Sequence, residues 1–278
     1  MFLPVLKRLF RAFGPRTEPL REYESFDAAL RDSDTYEHPA VIDIVSKKTD
    51  LLRRALSAGG AAPGRQGLLD ALVVQTAFGE TSPRRGLEVV EIGGACGATF
   101  FEVDSLLPGR IARWSVVETP AMAQRGRERF ADGRLAFFDD LDAALQGNGH
   151  RDLLVAKAVM QYVPAPLSLL EKLLTRGFRF CYFARNAFGR EVDRPTVVLH
   201  SKPLSSHGPG TLQEPGPALR ISVPLTLLPL AGFCRCVEAA GLGVALRTGT
   251  GDPDETWSVG ARTIRVFSTD FLLERASP

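Results

Sequence analysis

Apolar positions along the chain fall into two rhythms. Up to about residue 85 they recur at three- and four-residue spacing among polar ones, the mark of amphipathic helices. Thr49 reads as the N-cap of a helix over 50–56 that stops near Gly59-Gly60. Leu68-Leu69-Asp-Ala-Leu72-Val73 reads as another, ending at Gly79. From Leu87 short β-branched and aromatic runs take over, at 87–92, 114–117, 135–138, 153–156 and 178–183. Helix-like segments lie between them, at 100–107, 121–130, 141–145 and 166–174. Strands alternating with helices predict a doubly wound, mainly parallel α/β sheet, and the apolar character of the strands suits burial on both faces. Beyond Ala184 the stretch 185–218 is rich in Pro, Gly, Ser and His and reads as a long loop, either a lid or disorder. A strand over 219–223, a helix over 233–240 and strands over 243–247 and 263–267 follow. The last two strands are expected to form an antiparallel edge that completes seven strands. The expected division is a helical segment over 1–85 and an α/β domain over 86–278.

Composition narrows the function classes. The 278 residues are 45% hydrophobic and 24% charged, an ordinary globular mix. Lys and Arg number 34 against 32 Asp and Glu, a balance that argues against nucleic acid as the main partner. Cys96, Cys181, Cys234 and Cys236 have no disulfide or zinc-site spacing, and a reducing cytoplasm fits them best. The longest apolar stretch, 221–233, is interrupted by Pro224 and Pro229 and falls short of the ~20 residues of a membrane span. Residues 1–13 place Leu6, Leu9, Phe10 and Phe13 beside Lys7, Arg8 and Arg11, the pattern of an interfacial helix that would touch the inner face of a membrane. The plainer alternatives are a helix packed on the domain and a frayed terminus.

Candidate chemistry begins at the first strand's end, where Glu91-Ile-Gly93-Gly94-Ala95-Cys-Gly97 opens a helix. Open α/β sheets bind ligands at the carboxyl ends of their strands, and glycine there lets backbone approach a ligand. A dinucleotide turn needs G-x-G-x-x-G, and its second glycine is replaced here by Ala95. The leading acid Glu91 favours a turn for a methyl-donor nucleoside instead, with a plain strand-to-helix join as the structural alternative. Glu118 closes the second strand and is placed to accept ribose hydroxyls, or to serve the helix that Pro120 begins. Thr119 stands beside it. Phe138 and Asp139 follow the third strand, where an aromatic or acid can border adenine, and Asp139 or Asp140 can cap the next helix. The fourth strand exits through Lys157-Ala158 to Met160-Gln161-Tyr162-Val163.

The set E-I-G-G-A-C-G, W-S-V-V-E, M-Q-Y-V-P-A-P and Phe-Ala-Arg185 resembles a bacterial family of S-adenosylmethionine-dependent methyltransferases encoded among cell-surface polysaccharide genes. The resemblance runs from about residue 85 to the C-terminus, with Ala95 standing where the family usually has glycine. It implies a Rossmann-like class I methyltransferase fold with S-adenosyl-L-methionine as cofactor and a small-molecule or saccharide acceptor methylated on oxygen. Glu91, Gly93, Gly94, Ala95 and Gly97 would cradle the methionine part. Glu118 and Thr119 would hold the ribose, Phe138 or Asp139 would border the adenine, and Lys157 and Ala158 would line the floor. On the acceptor side the candidates are Gln161, Tyr162, Arg185, His200 and His207. Histidine is the favoured base near neutral pH, and an arginine can clamp a carboxylate or phosphate. An NAD(P)-dependent oxidoreductase and a non-catalytic binding protein on the same fold remain as alternatives. No metal is expected, and the oligomeric state is not legible.

Overall fold

The computed structural model describes residues 19–60, 63–81, 84–210, 219–250 and 254–276. The candidate interfacial helix over 1–13 lies outside the described residues. A short strand β1 (Glu22–Tyr23) precedes helices α1 (Phe26–Arg31), α2 (Pro39–Ser57) and α3 (Arg65–Thr81). Helix α2 starts well before the expected residue 50. Pro39 occupies its first turn, where a missing N–H is harmless, and His38 Nδ1 accepts from the Ala40 amide at 3.2 Å. Thr49 is therefore a buried mid-helix residue and not a cap.

The alternation then unfolds as β2 (Leu87–Ile92), α4 (Ala98–Leu106), β3 (Ile111–Val117), α5 (Pro120–Arg129), β4 (Leu135–Phe138), α6 (Leu141–Gly147), β5 (Leu153–Lys157), α7 (Pro166–Leu174) and β6 (Phe180–Gly189). It continues as β7 (Thr196–Pro203), β8 (Arg220–Pro229), α8 (Leu230–Ala239), β9 (Leu242–Gly249), β10 (Glu255–Val259) and β11 (Arg262–Arg275). Seven of these strands lie in the order β4-β3-β2-β5-β6-β11-β9, a doubly wound α/β sheet. Residues of β2, β5 and β6 alternate between two cores. Val89, Val155 and Tyr182 face α2–α5, whereas Val90, Leu154 and Phe183 face α7 and α8. That double burial explains why the strands read as continuous apolar runs.

Two expectations are corrected. First, β9 and β11 do not both run against the sheet. β11 is antiparallel to β6 and to β9, so β9 shares the direction of the parallel strands and β11 alone is reversed. The α8 crossover delivers β9 in that direction, and the local pattern of β9 carries no information about it. Second, 185–218 is not one continuous loop. β6 continues to Gly189, and β7 pairs with β8 from Thr196↔Leu227 to Pro203↔Arg220. Over that length β8 has β7 as a neighbour while its other edge meets β6 only at Phe188 and Gly189, so Pro224 is tolerated within it. Prolines and glycines around it obscured the β-branched Thr196-Val-Val-Leu run.

The chain enters the sheet at β2 and moves outward through β3 and β4. It then returns to place β5 on the other side of β2. The carboxyl ends of β2 and β5 thus flank the topological switch point, where such sheets bind ligands.

Candidate functional site

Among the described residues, three non-glycine residues hold a left-handed backbone, and each follows a carboxyl end or sits on a long strand at this edge: Ala95 (φ 51°) after β2, Ala158 (φ 54°) after β5 and Arg185 (φ 54°) in β6. Such conformations cost energy and gather where geometry serves a ligand. At Ala95 the strain meets a turn already closely packed. A Cβ on Gly93 (φ 71°) would lie 2.5 Å from Val159 Cγ2, and one on Gly94 would lie 2.5 Å from Glu91 Oε2. Ala95→Gly is expected to stabilise the fold by roughly 0.5–1 kcal/mol, because relief of the left-handed strain exceeds glycine's greater freedom when unfolded. Urea denaturation checks this, and a less stable variant would contradict it.

Glu91 lies beneath the turn. It is 1% exposed, and its Oε2 accepts the Trp114 indole N–H at 2.9 Å. Burial pushes its carboxyl up, against the pull of Lys157 and of hydrogen bonds from Thr99 and Trp114. The acid therefore supports Gly94 and does not open toward solvent.

Glu118 is the group that faces the turn. Its Oε1 accepts the Ala95 amide and its Oε2 the Thr119 amide, each at 2.9 Å. Burial raises its carboxyl pKa, and these two amides oppose the rise. A carboxylate has about four lone-pair sites, so each oxygen keeps room for a further donor. Beside it the Thr119 hydroxyl is buried without a partner, although buried polar groups are normally hydrogen-bonded. Glu118 thus holds the amide of Thr119, where α5 begins, while no side chain caps that helix, and the sugar-binding role stays open.

Lys157, at the carboxyl end of β5, is held by an ion pair. Its ammonium points to Asp70 of α3 at 2.7 Å, with the Asp70 side chain only 3% exposed. Burial works to lower its pKa, but Asp70, Glu91 and Glu102 outweigh that and raise it. The network extends from Asp70 to Gln66, whose Nε2 also reaches Tyr182 and Asp270. Asp270 Oδ1 accepts the Arg185 amide at 2.8 Å. Ala158 donates its N–H to Ala184 O, and Asn186 accepts from the Met160 amide while donating to Ala156 O. These bonds fix the exit of β5 against β6.

Over this edge sit Tyr36, Tyr162 and His207, with ring centroids 5.0 Å apart for the first pair and 5.7 Å for Tyr36 and His207. Lys202 donates to the Tyr162 hydroxyl at 3.0 Å. Tyr36 feels the Glu118 charge as well as Tyr162, and burial pushes its hydroxyl well up. His207 is buried with Nε2 unpartnered, and Gln161 Oε1 is likewise buried and unpartnered. His200 does not join them. It packs on Trp257, centroids 5.5 Å apart, within the cluster around β7, β8 and β10. At the third strand's end Asp140 caps α6 by accepting the Ala143 amide, Asp139 lies 3.8 Å from exposed Arg127, and Phe138 is half-buried.

Burial, with Lys202 and Lys48 adding to it, pushes His207 down to about 4 from 6.5. His207 is therefore neutral near pH 7 and a weaker base than an ordinary imidazole. The unfolded chain takes up this proton as pH falls from 6.5 toward 4 while the folded chain does not, so stability is lost across that window. His207→Gln is expected to flatten the loss, measured as thermal midpoints at pH 7.5 and pH 5. Parallel losses in both proteins would contradict the assignment.

Sequence reasoning missed Tyr36, Asp70, Tyr182, Asn186, Lys202 and Asp270. Two carried a signal: Asp70 and Asp270 are carboxylates inside apolar runs, and buried carboxylates need partners. The rest become visible only when distant segments meet.

No known protein family and no curated protein matches the chain. Solved structures similar to it include the N-terminal domain of EvdMO1 with S-adenosylhomocysteine bound, at 17% identity over 77% of this chain and 82% of that one, with a TM-score of 0.45. The CcbJ methyltransferase from Streptomyces caelestis is 16% identical over 77% and 91%, also with a TM-score of 0.45. CalS10, an amino pentose methyltransferase from Micromonospora echinaspora with S-adenosylmethionine bound, is 14% identical over 76% and 90%, at 0.44.

Proposed function

We propose that the protein is an S-adenosyl-L-methionine-dependent methyltransferase acting on oxygen of a small-molecule or saccharide acceptor. The observation that carries this reading is the Glu118 carboxylate seated on the Ala95 amide of the glycine turn, with the unpartnered Thr119 hydroxyl beside it. Glu118 already takes that amide, which the pyrophosphate of a nicotinamide cofactor would otherwise use. The carboxylate suits a neutral ribose and a cationic sulfonium. The residues fit the donor: Glu118 and Thr119 would hold the ribose, and the turn from Gly93 to Gly97 would take the methionine part.

The bound donor supplies a methyl group already activated by positive charge. The chain's residues then have to align the acceptor with it and keep water out. Tyr36 and Tyr162 cover the edge as an apolar roof with polar tips, and Gln161 Oε1 offers an acceptor for a substrate hydroxyl. The Tyr162 hydroxyl, held by Lys202, is placed to hydrogen-bond an acceptor hydroxyl and orient it. The test is incubation with methyl-deuterated donor and a panel of hydroxylated small molecules and saccharides, read by mass spectrometry. Label on an acceptor oxygen supports the reading, and label on nitrogen or carbon alone would correct it.

A further inference from the structure

Cations dominate what this edge leaves available. Arg185 occupies a bulge: Thr269 pairs with Asn186 and Phe271 with Phe183, so Ala184 and Arg185 together oppose Asp270. Bulges re-aim side chains and gather beside active sites. Here the Arg185 amide is tied to Asp270 Oδ1 and its backbone is held left-handed, while its side chain is exposed. Among the described residues no carboxylate pairs with its guanidinium, in contrast to Arg125, Arg134 and Arg190, which meet Asp43, Asp104 and Asp254.

Asn186, next in the chain, accepts the Met160 amide, and two residues on stands Tyr162. Lys202 donates to the Tyr162 hydroxyl and lies 5.6 Å from its ring centroid, again with no carboxylate partner among the described residues. A short path of bonds thus links the Arg185–Asn186 segment to Lys202 through the Met160–Tyr162 turn. The carboxylates nearby are already engaged: Glu118 with the Ala95 and Thr119 amides, Asp70 with Lys157, and Asp270 with Arg185 N–H, Gln66 and Tyr182. Buried unpartnered atoms of Gln161 and His207 adjoin the same turn or its tyrosine pair.

We propose that the acceptor carries an oxyanion, a carboxylate or a phosphate, gripped between the Arg185 guanidinium and the Lys202 ammonium beside Tyr162. The assignment of that anion to a methyl acceptor rests on the methyl-transfer reading of the site. A planar guanidinium can meet two oxyanion oxygens at once, and the ammonium supplies a point charge on the other flank.

The test titrates the full chain with inorganic phosphate and, separately, acetate, followed by NMR shifts of the protein. The proteins are wild type, Arg185→Gln, Lys202→Gln and Arg185→Lys, each also titrated with S-adenosylhomocysteine. Saturable anion binding is expected, weakened about tenfold in Arg185→Gln and in Lys202→Gln. Arg185→Lys should recover part of the affinity, and S-adenosylhomocysteine should bind all four proteins equally. Tighter phosphate than acetate marks a phosphorylated acceptor, and the reverse a carboxylate. No saturable anion binding, or binding indifferent to both glutamine substitutions, overturns the proposal. Arg185-dependent anion binding without S-adenosylhomocysteine binding would leave the anion site standing and sink the methyl-transfer reading, and with it the anion's role as acceptor.

Discussion

Glu118→Ala is expected to lower affinity for S-adenosylmethionine by about 100-fold or more. A two-pronged contact to the ribose would be lost, each prong a charge-assisted hydrogen bond of roughly 1.5–3 kcal/mol. The same change frees the Ala95 and Thr119 amides, so part of the loss would come from a loosened turn. Thr119→Val separates the two effects. It removes only a buried hydroxyl that has no partner in the protein, so the fold should keep its stability while donor affinity falls about tenfold. Calorimetric titration alongside urea denaturation of both variants reads this out. Unchanged donor affinity in Thr119→Val would remove the hydroxyl from the site.

Lys157→Met should be the most damaging single substitution for stability, at about 3–5 kcal/mol. Removing one partner of a buried ion pair leaves the other charge uncompensated. Here Asp70 would remain buried with Glu91 and Glu102 in the same field and Asp270 joined to it through Gln66. The double change Asp70→Leu with Lys157→Met removes both charges and is expected to recover most of the loss. Denaturation of the single and double variants closes the cycle. A Lys157→Met protein as stable as wild type would show that the network is not coupled in this way.

Much of the parallel half of the sheet was legible because its strands are buried on both faces and its helices share strong turns. The glycine turn and Glu118 were legible for the same local reason, since each sits where a strand ends. Elsewhere the pattern misled. Pro195, Pro203 and the glycines at 208 and 210 made 185–218 read as one loop, whereas the end of β6 and the whole of β7, paired with β8, lie within it. The direction of β9 depends on the crossover and not on its own residues. At the site, Glu91 has a leading acid's position but a supporting role, because its carboxylate is taken by Trp114 and pressed against Gly94. His200 and His207 looked equivalent in a loop. In the fold one packs on Trp257 while the other joins Tyr36 near the strand ends. Tyr36, Asn186 and Lys202 reach the site from three separate segments, and no spacing in the sequence could announce that meeting.

The most direct test of the central claim is a calorimetric titration of the wild-type protein with S-adenosylmethionine, S-adenosylhomocysteine and NADH. Saturable binding of both sulfur nucleosides with no binding of NADH is the predicted result, since the Ala95 amide of the glycine turn is already taken by Glu118. Binding of NADH without the sulfur nucleosides would contradict the account and make the protein a candidate oxidoreductase. Silence from all three ligands would contradict it as well, and would leave a fold that binds neither donor nor nicotinamide.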